Sequence, residues 1–125
     1  MHTPITTHNY RGIVTRVVDG DTVEARIDLG FDVWRTSRLR IRGLDCPERN
    51  TRAGVAALAH AQHLLPAGTA IVCTTYRRAA ADIKTFDRYV ADVYLSDGRR
   101  FAEVMVAAGC GTFRQAAEGA AAGAG

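Results

Sequence analysis

Five short β-strands closing on one core, with a helix between the third and fourth and a short helix after the fifth, is the β-rich α+β architecture the sequence predicts. Three observations carry it. Apolar and polar residues alternate along several short stretches, one longer stretch switches to a helical period, and Gly, Pro and Asp punctuate the junctions. At 125 residues the chain makes one domain that buries roughly two-thirds of its unfolded surface.

The elements follow in order. Residues 1–10 are polar and aperiodic and read as a flexible tail, so the folded domain is expected over 11–114. From Gly12 to Val18, Ile13, Val14, Val17 and Val18 around Thr15 and Arg16 form a β-branched strand. Asp19-Gly20-Asp21 turns the chain. The second strand sets Val23, Ala25, Ile27 and Leu29 against Glu24, Arg26 and Asp28. After Gly30-Phe31-Asp32, a third strand from Trp34 to Arg42 opposes Leu39 and Ile41 to Arg38, Arg40 and Arg42. Pro47 ends it. Residues 51–65 carry Val55, Leu58, Ala59, Gln62 and Leu65 on one helical stripe, stopped by Pro66 and Gly68. Strands follow at Ala70 to Tyr76 and Tyr89 to Leu95, and Ser96-Asp97-Gly98 is a turn. Phe101 to Ala108 is a short amphipathic helix with Gly109 at C′, and 115–125 is an Ala/Gly-rich tail. This order points to a small five-stranded barrel of the oligonucleotide-binding (OB) type.

Hydrophobic content of 47% and charged content of 23% are those of an ordinary globular protein. The net charge of +3 suits a polyanionic partner without defining one. Cys46, Cys73 and Cys110 are odd in number and widely spaced, which indicates neither a disulfide framework nor a thiolate zinc site. The first residues contain no apolar run of the signal-peptide kind, and no segment has the length of a membrane span. The expectation is an intracellular, monomeric protein with no membrane partner.

Chemistry concentrates in two carboxylate clusters, Asp19-Gly20-Asp21 and Asp45-Cys46-Pro47-Glu48. Each alone reads as a turn or a helix cap. Both sit at strand ends, however, and pairing of the first hairpin with the third strand lets Asp21 and Asp45 converge. Two close carboxylates repel by a few kcal/mol at an effective dielectric near 20, so a cation or an arginine is expected between them. Oxygen ligands without a soft partner fit calcium or magnesium. Arg40 and Arg88 add guanidiniums able to hold a phosphate.

Three segments, Val17-Val18-Asp19-Gly20-Asp21-Thr22-Val23, Arg40-Ile41-Arg42-Gly43-Leu44-Asp45-Cys46-Pro47-Glu48 and Phe86-Asp87-Arg88-Tyr89-Val90-Ala91-Asp92-Val93, closely resemble the staphylococcal-nuclease-like (thermonuclease) family. The resemblance covers about residues 11–113. It implies an OB-type barrel and Ca²⁺-dependent hydrolysis of phosphodiester bonds in DNA and RNA, with Mg²⁺ or Mn²⁺ as alternative ions. It assigns Asp21, Asp45 and the backbone carbonyl of Cys46 to the metal, Glu48 to the attacking water, and Arg40 and Arg88 to the scissile phosphate. Asp19 takes a supporting place beside the metal. The implied partner is DNA or RNA, single-stranded or flexible. Three features depart from the family pattern: Asp87 where a glycine is usual, the bulky Tyr89, and an Ala/Gly tail in place of a final helix.

Other candidates are weaker. Arg77, Arg78 and Lys84 are assigned to steering the nucleic-acid backbone. His60 and His63 have metal-pair spacing but read as a solvated helix face. Trp34 and Phe31 read as core or hairpin packing, with base stacking as the other use of an exposed ring. A non-catalytic module of the same fold, binding nucleic acid or protein, is the alternative to an endonuclease.

Overall fold

The computed structural model describes residues 7–76 and 88–114, by backbone alone at Thr7, Tyr76 and Arg88. Strands β1 (Thr7–Asp19), β2 (Thr22–Asp28), β3 (Trp34–Ile41), β5 (Ala70–Tyr76) and β6 (Arg88–Tyr94) close into a barrel in the order β1-β2-β3-β6-β5. Neighbours are antiparallel except β3 and β6, which run parallel. A two-residue strand β4 (Leu44–Asp45) pairs with β7 (Thr112–Phe113). The helices are α1 (Arg52–Leu64) and α2 (Phe101–Ala107). The β-rich barrel with its inserted helix is thus the predicted one. β1 begins at Thr7 rather than Gly12, because His8, Asn9 and Tyr10 extend the ladder to β5.

Val14, Val23, Ala25, Leu39, Ile41, Cys73, Ala91 and Val93 fill the barrel, each from the inward position of its strand. Phe101 and Met105 cap it from α2, Leu65 from the C-cap of α1, and Leu44 from β4. Two register shifts in β1, at Val14/Arg16 and Val17/Asp19, bend the strand so that one element pairs with both β2 and β5. α2 ends in a Schellman arrangement, with Cys110 N donating to the Met105 carbonyl and Gly109 N to the Val106 carbonyl.

α1 only partly buries the stripe its large residues predict: Leu65 is buried and Leu58 packs against the core, but the other three do not. Val55 is 58% exposed, and Ala59 and Gln62 also face solvent. The buried residues are Gly54, Ala57 and Ala61, which share one face at helical spacing. Small side chains win because the helix lies very close to the chain before it. A Cβ on Gly54 would stand 1.7 Å from the Glu48 carbonyl oxygen. Thr51 caps the helix, its Oγ1 accepting from Gly54 N at 3.0 Å.

The β2–β3 hairpin also departs from expectation. Leu29 is 41% exposed, Trp34 42% and Phe31 100%, so these residues do not enter the core. Phe31 and Asp32 both have positive φ, 56° and 62°, and Val33 N donates to the Gly30 carbonyl at 2.9 Å. These are the φ signs of a type I′ turn, which matches the twist of the strands but ordinarily takes Asn and Gly. No helix among the described residues is long and apolar enough to cross a membrane.

Gly54→Ala is expected to destabilise the protein by roughly 3 kcal/mol despite its better helix propensity, because the propensity gain is about 1 kcal/mol and the overlap is with backbone. Val55→Ala on the exposed face should stay within about 0.5 kcal/mol of the parent. Equilibrium urea unfolding of both variants checks the helix phase.

Candidate active site

The turn between β1 and β2 places Asp19 and Asp21 at one end of the barrel. Gly20 between them is buried, and a Cβ there would lie 2.9 Å from Cys46 Sγ. The glycine is therefore needed for close approach, bringing the first carboxylate cluster against the second. Cys46 N donates to Asp21 Oδ2 at 3.2 Å, across 25 residues of sequence. Thr22 Oγ1 lies 3.3 Å from Asp21 Oδ1.

Arg40 leaves β3 from its outward face and turns into the same region, with its side chain only 14% exposed. Nη1 donates to the carbonyls of Ile41 at 2.8 Å and Leu44 at 2.6 Å. Nη2 donates to Asp45 Oδ1 at 3.0 Å and lies 3.8 Å from Asp21 Oδ2. One guanidinium thus faces both carboxylates predicted to converge. Asp45 is also gripped by Arg114, whose Nε donates to Oδ2 at 3.2 Å and whose Nη2 donates to Oδ1. The Arg114 hydrogen bonds are the main cause that holds the Asp45 carboxyl below the usual carboxylate range, with the Arg40 charge adding to them.

Arg114 was not among the predicted site residues. It reaches Asp45 because β7 pairs with β4, Thr112 opposite Asp45, and because Arg114 N donates to the Gly43 carbonyl at 2.7 Å. Two-residue strands leave too little periodicity to read. The small residue at Gly111 is the one local sign: a Cβ there would sit 2.9 Å from the Asp45 carbonyl oxygen.

Glu48 lies in the exposed segment after Pro47. Its carbonyl accepts from Thr51 N at 3.0 Å and Thr51 Oγ1 at 2.6 Å, which fixes its backbone to the start of α1. Asp19, Asp21, Cys46, Glu48 and Arg49 line one solvent-open cleft of about 410 Å³ with Pro47 and Asn50. Burial, with the Asp21 charge second, pushes the Cys46 thiol up to about 12, so its sulfur stays protonated. Arg88 opposes Arg38 in the β3–β6 ladder, which brings its backbone within two residues of Arg40's level. Its side chain, and all of Arg77, Arg78, Lys84 and Asp87, lie outside the described residues. Tyr89 turns toward the opposite barrel mouth, its ring 5.4 Å from the Arg35 guanidinium. The His60 and His63 rings stack at 6.4 Å on α1.

Among the described residues, no three His, Cys, Asp or Glu side chains gather into a group able to hold a metal by themselves. The donor chemistry of the cleft suits a hard cation that keeps waters and takes substrate oxygens. Asp19 and Asp21 both line it, and Asp19 Oδ1 is buried without a hydrogen bond, although Arg49 Nε stands 3.3 Å away.

No family model matches the chain. It is similar to two curated proteins, each named an uncharacterized endonuclease, from Escherichia coli O157:H7 and from Escherichia coli. Each is 29% identical over 106 residues, which are 85% of this chain and 62% of the relative's length.

Arg114→Ala is expected to return the Asp45 carboxyl toward 3.8, read from its carboxyl carbon shift against pH in chelating buffer. Because the folded-state value is depressed, the stability the clamp contributes is present above about pH 4 and disappears as pH falls through the folded-state value. The parent and variant unfolding curves should therefore differ at neutral pH and converge in acid. Asp45 is 45% exposed, so the neutral-pH difference should be about 1 kcal/mol.

Proposed function

We propose that the protein is a divalent-cation-dependent endonuclease, hydrolysing phosphodiester bonds of DNA or RNA with little sequence preference. Ca²⁺ is the expected ion, with Mg²⁺ or Mn²⁺ as substitutes. The observation that carries this reading is the Arg40 guanidinium facing both Asp21 and Asp45 beside the cleft lined by Asp19 and Glu48. The endonuclease names of the two relatives point the same way.

Arg40 holds the phosphate in this reading, with Arg88 assigned as the second guanidinium. Permanently charged, planar donors stabilise negative charge on the phosphoryl oxygens without reorganising. Losing one such donor costs about 3–4 kcal/mol, or two to three decades in rate. Glu48 accepts the proton of the attacking water, and its exposed position leaves that water access to bulk solvent. Asp21, the Cys46 carbonyl and Asp45 are the oxygens assigned to the ion, which supplies charge neutralisation at the phosphate. Asp45, held by Arg40 and Arg114, would take that role on release from one of the two guanidiniums.

The double grip of Arg40 and Arg114 on Asp45 favours a second reading, a site that binds an anionic strand without cutting it. Single-stranded DNA separates the two. Cleavage is expected with Ca²⁺ and not with chelator, and Asp21→Asn and Glu48→Gln should each lower kcat/KM by at least about 100-fold. Unchanged cleavage in either variant overturns the assignment. In a calcium titration the melting temperature should rise with ion concentration in the parent and stay flat in Asp21→Asn. A flat parent curve favours the binding module.

A further inference from the structure

The tip of the β2–β3 hairpin breaks two local rules at once. Phe31 and Asp32 hold left-handed backbone at the turn centre, and Phe31 is 100% exposed. Leu29, Val33 and Trp34 beside it are 41%, 50% and 42% exposed. A phenylalanine that strains its backbone and buries nothing adds nothing to the hairpin as folded. Yet the tip is well fixed: Leu29 N donates to the Val33 carbonyl at 2.8 Å, and Gly30 N to Asp28 Oδ1 at 2.9 Å.

Charge decides what such a tip would meet. Arg16 and Arg38 flank Glu24 on the outer face, at 3.6 Å and 3.8 Å. Arg26 lays its guanidinium 4.8 Å over the Trp34 ring. Arg16, Arg26, Arg38 and Arg40 line the outer face of β1–β3 with Glu24 and Asp28 between them and Asp32 at the tip, while Asp19 and Asp21 close the cleft end against Arg49 and Arg40. Trp34, Thr36, Arg38 and Arg40 occupy alternate positions of β3 and so share one side over roughly 20 Å. One side of β3 therefore runs from the guanidinium beside the cleft to Trp34, next to the tip. Phosphates suit the arginines and bases suit the rings, which is the composition of a single-strand binding track. A purely apolar partner would leave the arginine line unused.

We infer that the β2–β3 hairpin is a base-stacking platform for single-stranded nucleic acid. Phe31 and Trp34 take bases, and Arg38 and Arg40 hold the phosphates leading to the cleft. The inference rests on nucleic acid being the substrate, as proposed above.

Trp34 is the single tryptophan of the chain, so its emission reports directly. Titration of the protein with a short oligothymidylate in chelating buffer should quench it. Phe31→Asn should weaken that binding about tenfold or more, the worth of one base stack. Its melting temperature should hold or rise, because Asn tolerates the left-handed region that strains Phe. Turnover of bis(p-nitrophenyl) phosphate, too short to reach the hairpin, should be unchanged. Equal oligonucleotide affinity in parent and variant overturns the platform, as does Trp34 emission indifferent to saturating oligonucleotide. A change confined to binding of phosphatidylserine vesicles, or to self-association, overturns it too. Quenching without cleavage of either substrate removes the endonuclease reading and leaves the platform standing.

Discussion

The Arg40 guanidinium donates to the Ile41 and Leu44 carbonyls and faces Asp45 and Asp21, so one side chain fixes the end of β3 and spaces two carboxylates. Without it those carboxylates would repel by a few kcal/mol at an effective dielectric near 20, and two carbonyls would lose their donors. Close approaches at two glycines bring the flanking segments together at this end of the barrel. Gly20 admits Cys46, which donates to Asp21. Gly54 admits the Glu48 backbone, which Thr51 then holds. The site is built from close backbone approaches first and side-chain chemistry second.

That order explains what could be read from the residues. Alternation in Val23, Ala25 and Ile27, and in Leu39 and Ile41, reports burial directly, and those residues are in the core. β5 runs over the predicted residues for the same reason. The face of α1 was legible only in part: Leu58 and Leu65 pack against the core as their period predicts, while Val55, Ala59 and Gln62 face solvent. Hydrophobic periodicity weighs Val55 above Gly54, Ala57 and Ala61, whereas the packing here selects for smallness. Phe31 misled in the same way, since its apolar character says nothing of a turn that points it into solvent.

At the site, motif spacing was enough to bring Asp21, Arg40 and Asp45 together, because strands β1 to β3 are consecutive and their hairpins set register. Arg114 was invisible. It meets Asp45 across 69 residues through the two-residue ladder of β4 and β7. In Gly111-Thr112-Phe113-Arg114 only the glycine, which admits the Asp45 carbonyl, hints at such a contact.

Arg114 also bears on how a site of this kind would handle charge. Asp19, Asp21, Asp45 and Glu48 stand against Arg40, Arg49 and Arg114, so the described groups are close to balance. A phosphodiester brings a further negative charge, worth a few kcal/mol of repulsion from each nearby carboxylate at moderate dielectric. Under the proposed function, the balancing positive charge would come from an ion. A pinned Asp45 then serves a purpose beyond ligation. While Arg114 and Arg40 hold it, its charge is compensated and does not oppose the incoming strand. An ion taking up Asp45 would leave the Arg114 guanidinium to find another anionic partner, so the ion's own charge is what the cleft would gain while Arg114 changes partner.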